Sequence, residues 1–220
     1  MVEQRSIREI DINPLLASPE RLIALDARIV LHGPEVPEEE LPVSAIRPYP
    51  MKYLGVATLR NGTEVRIRPI RPEDEPKMVQ FHHTLSDQSV YSRYAGILKL
   101  DLRVAHERLA RICFVDYDRE MALVAECAPD GAGPSEIVAV ARLKRLQGTG
   151  DAEFALLVSD SVQRQGLGHA MLSRLFDVGR DWRLQRIVAE ILPGNASMRR
   201  VCAKLGFTFH GQTGATKELH

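Results

Sequence analysis

The sequence predicts a mixed α/β fold, a sheet of mostly antiparallel strands flanked by helices. Three observations carry that expectation. From residue 62 onward, short stretches of period-two alternation take turns with segments of helical period. The apolar run Phe154 to Val158 leads into the glycine-bearing turn Gln163-Arg164-Gln165-Gly166-Leu167-Gly168. Beyond that turn Leu167, Met171, Leu175 and Val178 recur at helical spacing, the one apolar stripe of an amphipathic helix.

Composition narrows the class. A chain of 220 residues with 45% hydrophobic content can bury a core. Its 29 basic residues balance 29 acidic ones, so no general field draws it to nucleic acid or an anionic membrane. Cys113, Cys127 and Cys202 are too few and too scattered for a zinc site or a disulfide framework and fit a reducing compartment. No apolar run approaches about 18 residues, and the charged N-terminus lacks the apolar stretch of a secretory signal. A cytoplasmic protein without a metal is expected.

The elements follow in order. Ile10 to Ile12 and Leu22 to Leu25 suggest two short strands around a turn at Ser18-Pro19-Glu20, in a leading segment (1–31) too small to form a core alone. Residues 32–61, with Pro34, Pro37, Glu38-Glu39-Glu40, Pro42, Pro48 and Pro50, suggest a linker. Thr63 to Ile70 alternates as a strand, and Pro72-Glu73-Asp74-Glu75 opens a helix that runs to about Leu85. A polar and aromatic passage, Ser86 to Tyr94, precedes a helix from Leu102 to Cys113. Met121 to Cys127 and Glu136 to Leu146 suggest a hairpin across Pro129 to Gly133, and a turn at Gln147 to Gly150 leads to the strand Ala152 to Val158. After the glycine turn and its helix come a strand at Arg186 to Leu192, a helix at Asn195 to Leu205 and a short strand at Phe207 to His210.

The turn between an apolar strand and a helix is suited to phosphate. The unpaired amides of the first helical turn, the positive end of the helix dipole and two glycines that permit close approach favour a phosphate or pyrophosphate. No Lys-Ser/Thr pair is present, so this is not a P-loop. His169 lies in the same first turn. Glu153 is a single carboxylate in an otherwise apolar strand, on one face with Ala155 and Leu157. Partly desolvated there, it would have a raised pKa and could act as a general base. Glu190 is the rival carboxylate. Asn195 follows Pro193-Gly194 as an N-cap and faces the glycine turn if its preceding strand runs parallel to that of Glu153. His82-His83 and His106 lack metal spacing and fit surface positions. No nucleophile elbow or Ser-His-Asp arrangement supports a hydrolase.

Gln163-x-x-Gly166-x-Gly168, the upstream Glu153, and Asn195-x-x-Met198 ending in Leu205-Gly206-Phe207 resemble the GNAT superfamily of N-acetyltransferases across Gly62 to Gly211. The resemblance implies a GNAT fold with acetyl-CoA as cosubstrate. Its pyrophosphate would lie on the amides of Gln163, Arg164, Gln165, Gly166, Leu167, Gly168 and His169. Its pantetheine would lie along Leu157, Val158 and Ser159, with the Leu157 amide near the thioester carbonyl. Ala152-Glu153-Phe154-Ala155, Ile67 to Asp74 and Leu85 to Tyr91 are similar to the C-terminal domain of Pat-type bacterial protein lysine acetyltransferases. Glu9 to Leu15 and Ala24 to Arg28 resemble the last strands of an ATP-grasp domain of ADP-forming acyl-CoA synthetases, in which Asn13 and Asp26 match metal-binding positions.

The resemblance implies acetyl transfer to a protein lysine, on an acyl-CoA synthetase as in the Pat type, with Glu153 taking the amine proton. Many GNAT enzymes carry a tyrosine acid where this chain has Cys202, so the CoA thiolate would leave without a dedicated donor. A small-molecule amine acetyltransferase would use the same passage, Ser86 to Tyr94, to line its acceptor. A non-catalytic acetyl-CoA sensor and a ligase-subunit fragment are the remaining alternatives.

Overall fold

A computed structural model of the chain describes residues 4–37, 40–41, 48–96, 98–128 and 133–219. They divide into two compact units, Met1–Tyr49 and Pro50–His220.

The first unit holds β1 (Ile7–Ile12), β2 (Leu15–Ala17), β3 (Leu22–Ala24) and β4 (Ala27–Leu31). β2 pairs with β3 and β1 with β4, both antiparallel. The Ser18 hydroxyl closes the tip by accepting from the amides of Glu20 and Arg21 at 3.3 and 3.2 Å. The sequence predicts two strands here and the structure has four. Once Leu15–Ala17 and Leu22–Ala24 fold back on each other their flanks lie side by side and continue the ladder, with the Asn13 amide bonded to the Asp26 carbonyl at 3.3 Å. Ile12, Leu15, Leu16, Leu22 and Ile29 stay exposed.

The second unit is built on one eight-stranded sheet of β5 (Gly55–Thr58), β6 (Glu64–Pro69), β7 (Glu120–Cys127), β8 (Glu136–Arg145), β9 (Asp151–Val158), β10 (Arg186–Glu190), β11 (Thr208–His210) and β12 (Gly214–Glu218). Their spatial order is β11-β12-β10-β9-β8-β7-β6-β5. Every pairing is antiparallel except that of β9 with β10. Alternation along β9 divides its side chains between two cores. Ala152, Phe154 and Leu156 pack with α5 (Leu167–Asp181) and with Cys202 of α6 (Ala196–Lys204). Leu157 packs on the other face, with α1 (Glu75–His83), α2 (Asp87–Tyr94) and α4 (His106–Cys113). The predicted stripe of α5 is entirely buried.

Four expectations are corrected. The linker ends before residue 61, because Tyr53 and Leu59 are buried and Gly55–Thr58 is an edge strand of the sheet. Glu38, Glu39 and Pro42 of that stretch lie outside the described residues. Ser86 to Tyr94 is a helix, capped by the Ser86 side chain accepting from the Ser89 amide; its apolar stripe is absent because only Val90 is buried. The helix expected from Leu102 to Cys113 is two, α3 (Leu100–Arg103) and α4, and Leu102 is exposed. Finally, β12 was not expected: Gly-Ala-Thr-Lys-Glu has weak strand character and forms where β10 and β11 both offer it a partner. Pro129 to Ala132, the expected turn between β7 and β8, are outside the described residues.

The start of α1 is clamped to the sheet by a buried charge network. Arg68 donates Nε and Nη2 to Glu126 at 2.9 and 2.7 Å, and Nη1 and Nη2 to Asp74 at 2.7 and 2.6 Å. Lys77 of α1 adds a 2.7 Å contact to Glu126. Burial alone would raise the Glu126 pKa, but the hydrogen bonds from Arg68 and Lys77 outweigh it and hold the carboxyl below its ordinary range. A carboxylate depressed on folding stabilises fully above its unfolded pKa, about 4.3, and loses that contribution as pH falls through the folded value. Urea melts should therefore show unfolding free energy declining below about pH 4.3. Glu126→Gln should make that decline shallower while lowering stability at pH 7; an unchanged slope would contradict the role.

Candidate active site

The site begins where two strands part. β10 pairs with β9 only at Arg186↔Asp151, Ile187↔Ala152 and Val188↔Glu153, whereas β9 stays paired with β8 as far as Val158. The ladder fixes which backbone groups face the gap. The Ser159 amide donates to Val138 at 2.8 Å and the Leu146 amide to Asp151 at 3.0 Å, so the odd residues of β9 exchange hydrogen bonds with β8. On the other side the Gln185 amide donates to the Gly150 carbonyl at 2.8 Å, as expected if even residues face β10. Past the last β10 pair, Leu156 and Val158 therefore direct their backbone groups away from β8, where the Val158 carbonyl is taken by the Gln163 side chain at 3.1 Å. This corrects the expectation for Leu157 and Ser159, whose amides point to β8.

The glycine turn closes one end of that edge. Gly166 is the N-cap of α5 with φ 94°, and a Cβ on it would meet nothing within 4 Å. Arg164 also takes a left-handed φ of 61°. The first helical hydrogen bond at this end runs from the Ala170 amide to the Gly166 carbonyl at 3.1 Å, which leaves the amides of Leu167, Gly168 and His169 ahead of it without helical partners. Open space above a positive-φ glycine and a row of free amides fit a pyrophosphate. Arg164 and His169 are exposed beside it. Asn195 caps α6 by accepting from the Met198 amide at 3.0 Å, and because β9 and β10 are parallel it lies at the same end of the sheet.

The Gln163 side-chain amide is engaged by the protein itself, in part at the strand edge. Its Nε2 donates to Ser89 Oγ at 2.9 Å, to the Val158 carbonyl at 3.1 Å and to Asp160 Oδ1 at 3.3 Å. Asp160 also accepts from the Ser86 amide at 2.8 Å, the Ser86 hydroxyl at 2.9 Å and the Ser89 hydroxyl at 3.0 Å. Burial alone would raise the Asp160 pKa, and the hydrogen bonds from Ser86 and Ser89 bring it below the ordinary range. From the opposite side the Arg60 amide donates to the Gln165 carbonyl at 3.1 Å. The turn is thus braced between the start of α2 and the β5–β6 hairpin.

Glu153 is exposed, which corrects the expectation of a desolvated carboxylate. The strand face it occupies is covered by α1, α2 and α4 over Leu157 but lies open over Glu153. There it lines a broad concavity with Glu190, His210 and Thr216, so the two candidate carboxylates share one surface. Cys202 is fully buried on the opposite face, among the side chains of α5, and burial pushes its thiol up to about 12. It is a core residue, remote from that concavity. His82, expected at the surface, is 2% exposed.

Residues 64–208 match the family model described as Acetyltransferase (GNAT) domain. The chain belongs to the GNAT acetyltransferase family. It is 30% identical over 152 residues to "Acetyltransferase PA5475" of Pseudomonas aeruginosa, covering 69% of this chain and 79% of that protein. It is 26% identical over 149 residues to "Acetyltransferase Pat" of Mycolicibacterium smegmatis, covering 67% of this chain and 42% of Pat. The crystal structure of the GNAT domain of S. lividans PAT superposes with a TM-score of 0.68 at 28% identity, covering 78% of this chain and 100% of that one. Acetyl-CoA is the cosubstrate of this GNAT domain, and the gap, the free amides and the glycine turn are the features that fit it.

Because Gln163 holds the turn rather than the ligand, Gln163→Ala should weaken acetyl-CoA binding by about tenfold in calorimetry, the equivalent of one or two lost hydrogen bonds. An unchanged affinity would contradict the bracing role. Cys202→Ala should lower the melting temperature through the lost core contacts yet leave turnover within about twofold, since each methylene-sized deletion costs only about 1 kcal/mol of stability. A drop of two orders of magnitude with the fold intact would restore Cys202 as the acid.

Proposed function

We propose that this protein is a protein lysine N-acetyltransferase that moves the acetyl group of acetyl-CoA to a lysine ε-amine, with Glu153 as general base. The observation that carries the proposal is the position of Glu153: exposed, in an open concavity, on the strand whose next residues form the cosubstrate edge. An open base can receive a side chain that protrudes from a folded acceptor. The likeness to Pat-type GNAT domains supports the same acceptor class and suggests an acyl-CoA synthetase as the target. The leading hairpins, where Asn13 and Asp26 meet through their backbones, are read as the relic of an ATP-grasp end.

Attack on a thioester requires a neutral amine, and with a lysine pKa near 10.4 only about one in a few thousand is neutral at pH 7. Glu153, directly or through one water, takes the proton as the nitrogen attacks the carbonyl carbon. Charge then develops on the thioester oxygen, and the Leu156 amide at the open edge is the donor placed to receive it. The carbon–sulfur bond breaks and CoA leaves as its thiolate. The acceptor itself removes water from around Glu153, which the free enzyme leaves solvated.

The test is transfer of labelled acetyl to an acyl-CoA synthetase, with the modified lysine found by mass spectrometry. Glu153→Gln should lower kcat by about 10² to 10⁴ while leaving the Kd for acetyl-CoA within about twofold. Tight acetyl-CoA binding without transfer to any protein acceptor by the wild type would overturn the proposal in favour of a small amine or a sensing role.

A further inference from the structure

On the same strand face as Glu153, next to Ala155 and Leu157, lies a small cavity of about 60 Å³ with three guanidinium groups around it. Arg93 comes from α2, Arg108 from α4 and Arg142 from β8, where it stands opposite Ala155. Among the described residues only Arg142 has a carboxylate partner, Glu120. Arg93 and Arg108 instead lie over the ring of Tyr94, 5.1 and 5.2 Å from its centroid. Cation–π contact orients these groups and leaves their donors available. The Nε of Arg108 is buried without a hydrogen-bond partner among the described residues.

His82 on α1 is a second, independent sign. It lines the cavity at 2% exposure, and neither of its ring nitrogens has a partner among the described residues. Buried polar groups are normally satisfied, so an orphaned imidazole beside unpaired guanidinium groups marks a place where something else completes the bonding. Burial, with the charges of Arg103 and Arg108, pushes the His82 pKa down to about 4, so the ring is neutral and able both to donate and to accept. Burial, with the charges of Arg93 and Arg108, likewise lowers Arg142 to about 10. Among the described residues Glu120 pairs with one of these three cations, and a second anion would relieve the remaining repulsion.

We propose that this cavity is an anion subsite of the acceptor: it receives a carboxylate carried by the molecule whose amine is acetylated. The inference rests on the placement of the acceptor amine at Glu153. Ala155 and Leu157 lie two and four residues further along the same strand face, about 7 and 13 Å away at the usual rise. That span matches the distance between a lysine ε-amine and the carboxylate of an acidic neighbour in the chain, or the lysine's own α-carboxylate. A cavity of this size has room for a carboxylate. Arginine is suited to the task because its planar fork binds a carboxylate through two parallel donors.

The test compares lysine peptides with blocked termini that carry either Glu or Gln beside the lysine, together with free lysine as the small acceptor. Wild type should acetylate an acceptor bearing the carboxylate with kcat/KM at least about tenfold above its neutral counterpart. The double variant Arg93→Gln/Arg108→Gln should bring that ratio close to one, whereas Glu153→Gln should slow all acceptors and keep the ratio. Preference for the Glu peptide assigns the carboxylate to an acidic flank, and preference for free lysine over its amide assigns it to the acceptor's own backbone. Either supports the subsite, while a wild-type ratio near one, or a ratio that survives in the double variant, overturns it. A binding measurement separates this inference from the acetyltransferase reading. Glutamate blocked at both ends should shift the His82 ring resonances saturably in wild type and not in the double variant, with blocked glutamine inert. That shift without acetylation of any peptide would retain the subsite and remove the lysine acceptor, and acetylation without the shift or the ratio would do the reverse.

Discussion

The arrangement depends on the short register between β9 and β10. Two parallel strands that paired along their whole length would satisfy each other's amides and carbonyls, and nothing could enter between them. Here pairing stops after Val188↔Glu153, and β10 turns to β12 for its other partner. The Leu156 backbone and the Val158 amide are left on an open edge, and a bare strand edge recruits whatever can pair with it. A ligand with amide groups along its length can act as the missing strand. Phe207, following α6, packs edge-on against Phe154 at 5.5 Å and also contacts Phe176 of α5 at 5.9 Å. This aromatic group ties the segment after β10 to the core beneath β9 and so helps fix where the two strands separate.

The other parts of the site extend from that edge in opposite directions along one strand. Toward its C-terminal end lies the glycine turn, whose geometry fits a phosphate and whose shape is set from outside. Gln163 and Asp160 tie it to Ser86 and Ser89, and the Arg60 amide ties it to the β5–β6 hairpin. Toward the N-terminal end lies Glu153, in the open. The glycine turn is therefore held by hydrogen bonding from its neighbours, while the Glu153 end stays accessible. Glu153 and Leu156 stand three residues apart on β9, about 10 Å along the strand.

The sequence carries much of this and misses a definable part. The stripe Leu167, Met171, Leu175 and Val178, the left-handed glycine at 166 and the Asn195 cap are legible because each is a local rule expressed in local residues. The parallel pairing of β9 and β10 follows from the intervening helix. Strand alternation puts Glu153 on the face of Ala155 and Leu157, but whether a helix covers that face depends on where α1, α2 and α4 pack. The same limit hides the burial of His82, itself a residue of α1. Edge strands Gly55–Thr58 and Gly214–Glu218 escape notice because partners, not their own patterns, make them strands. That the Leu157 amide points to β8 and the Leu156 amide away from it is a one-residue distinction, and only the hydrogen-bonding phase of the ladder with β8 resolves it.

Residue-resolved amide exchange by NMR, with and without acetyl-CoA, tests the open edge most directly. The amides of Leu157 and Ser159 should exchange slowly in the free protein, because β8 already holds them, and should change little on adding acetyl-CoA. Those of Leu156 and Val158 should exchange fast in the free protein and become protected when acetyl-CoA is present. Fast exchange at Leu157 that slows only with the ligand, or no change at Leu156 and Val158, would contradict the account.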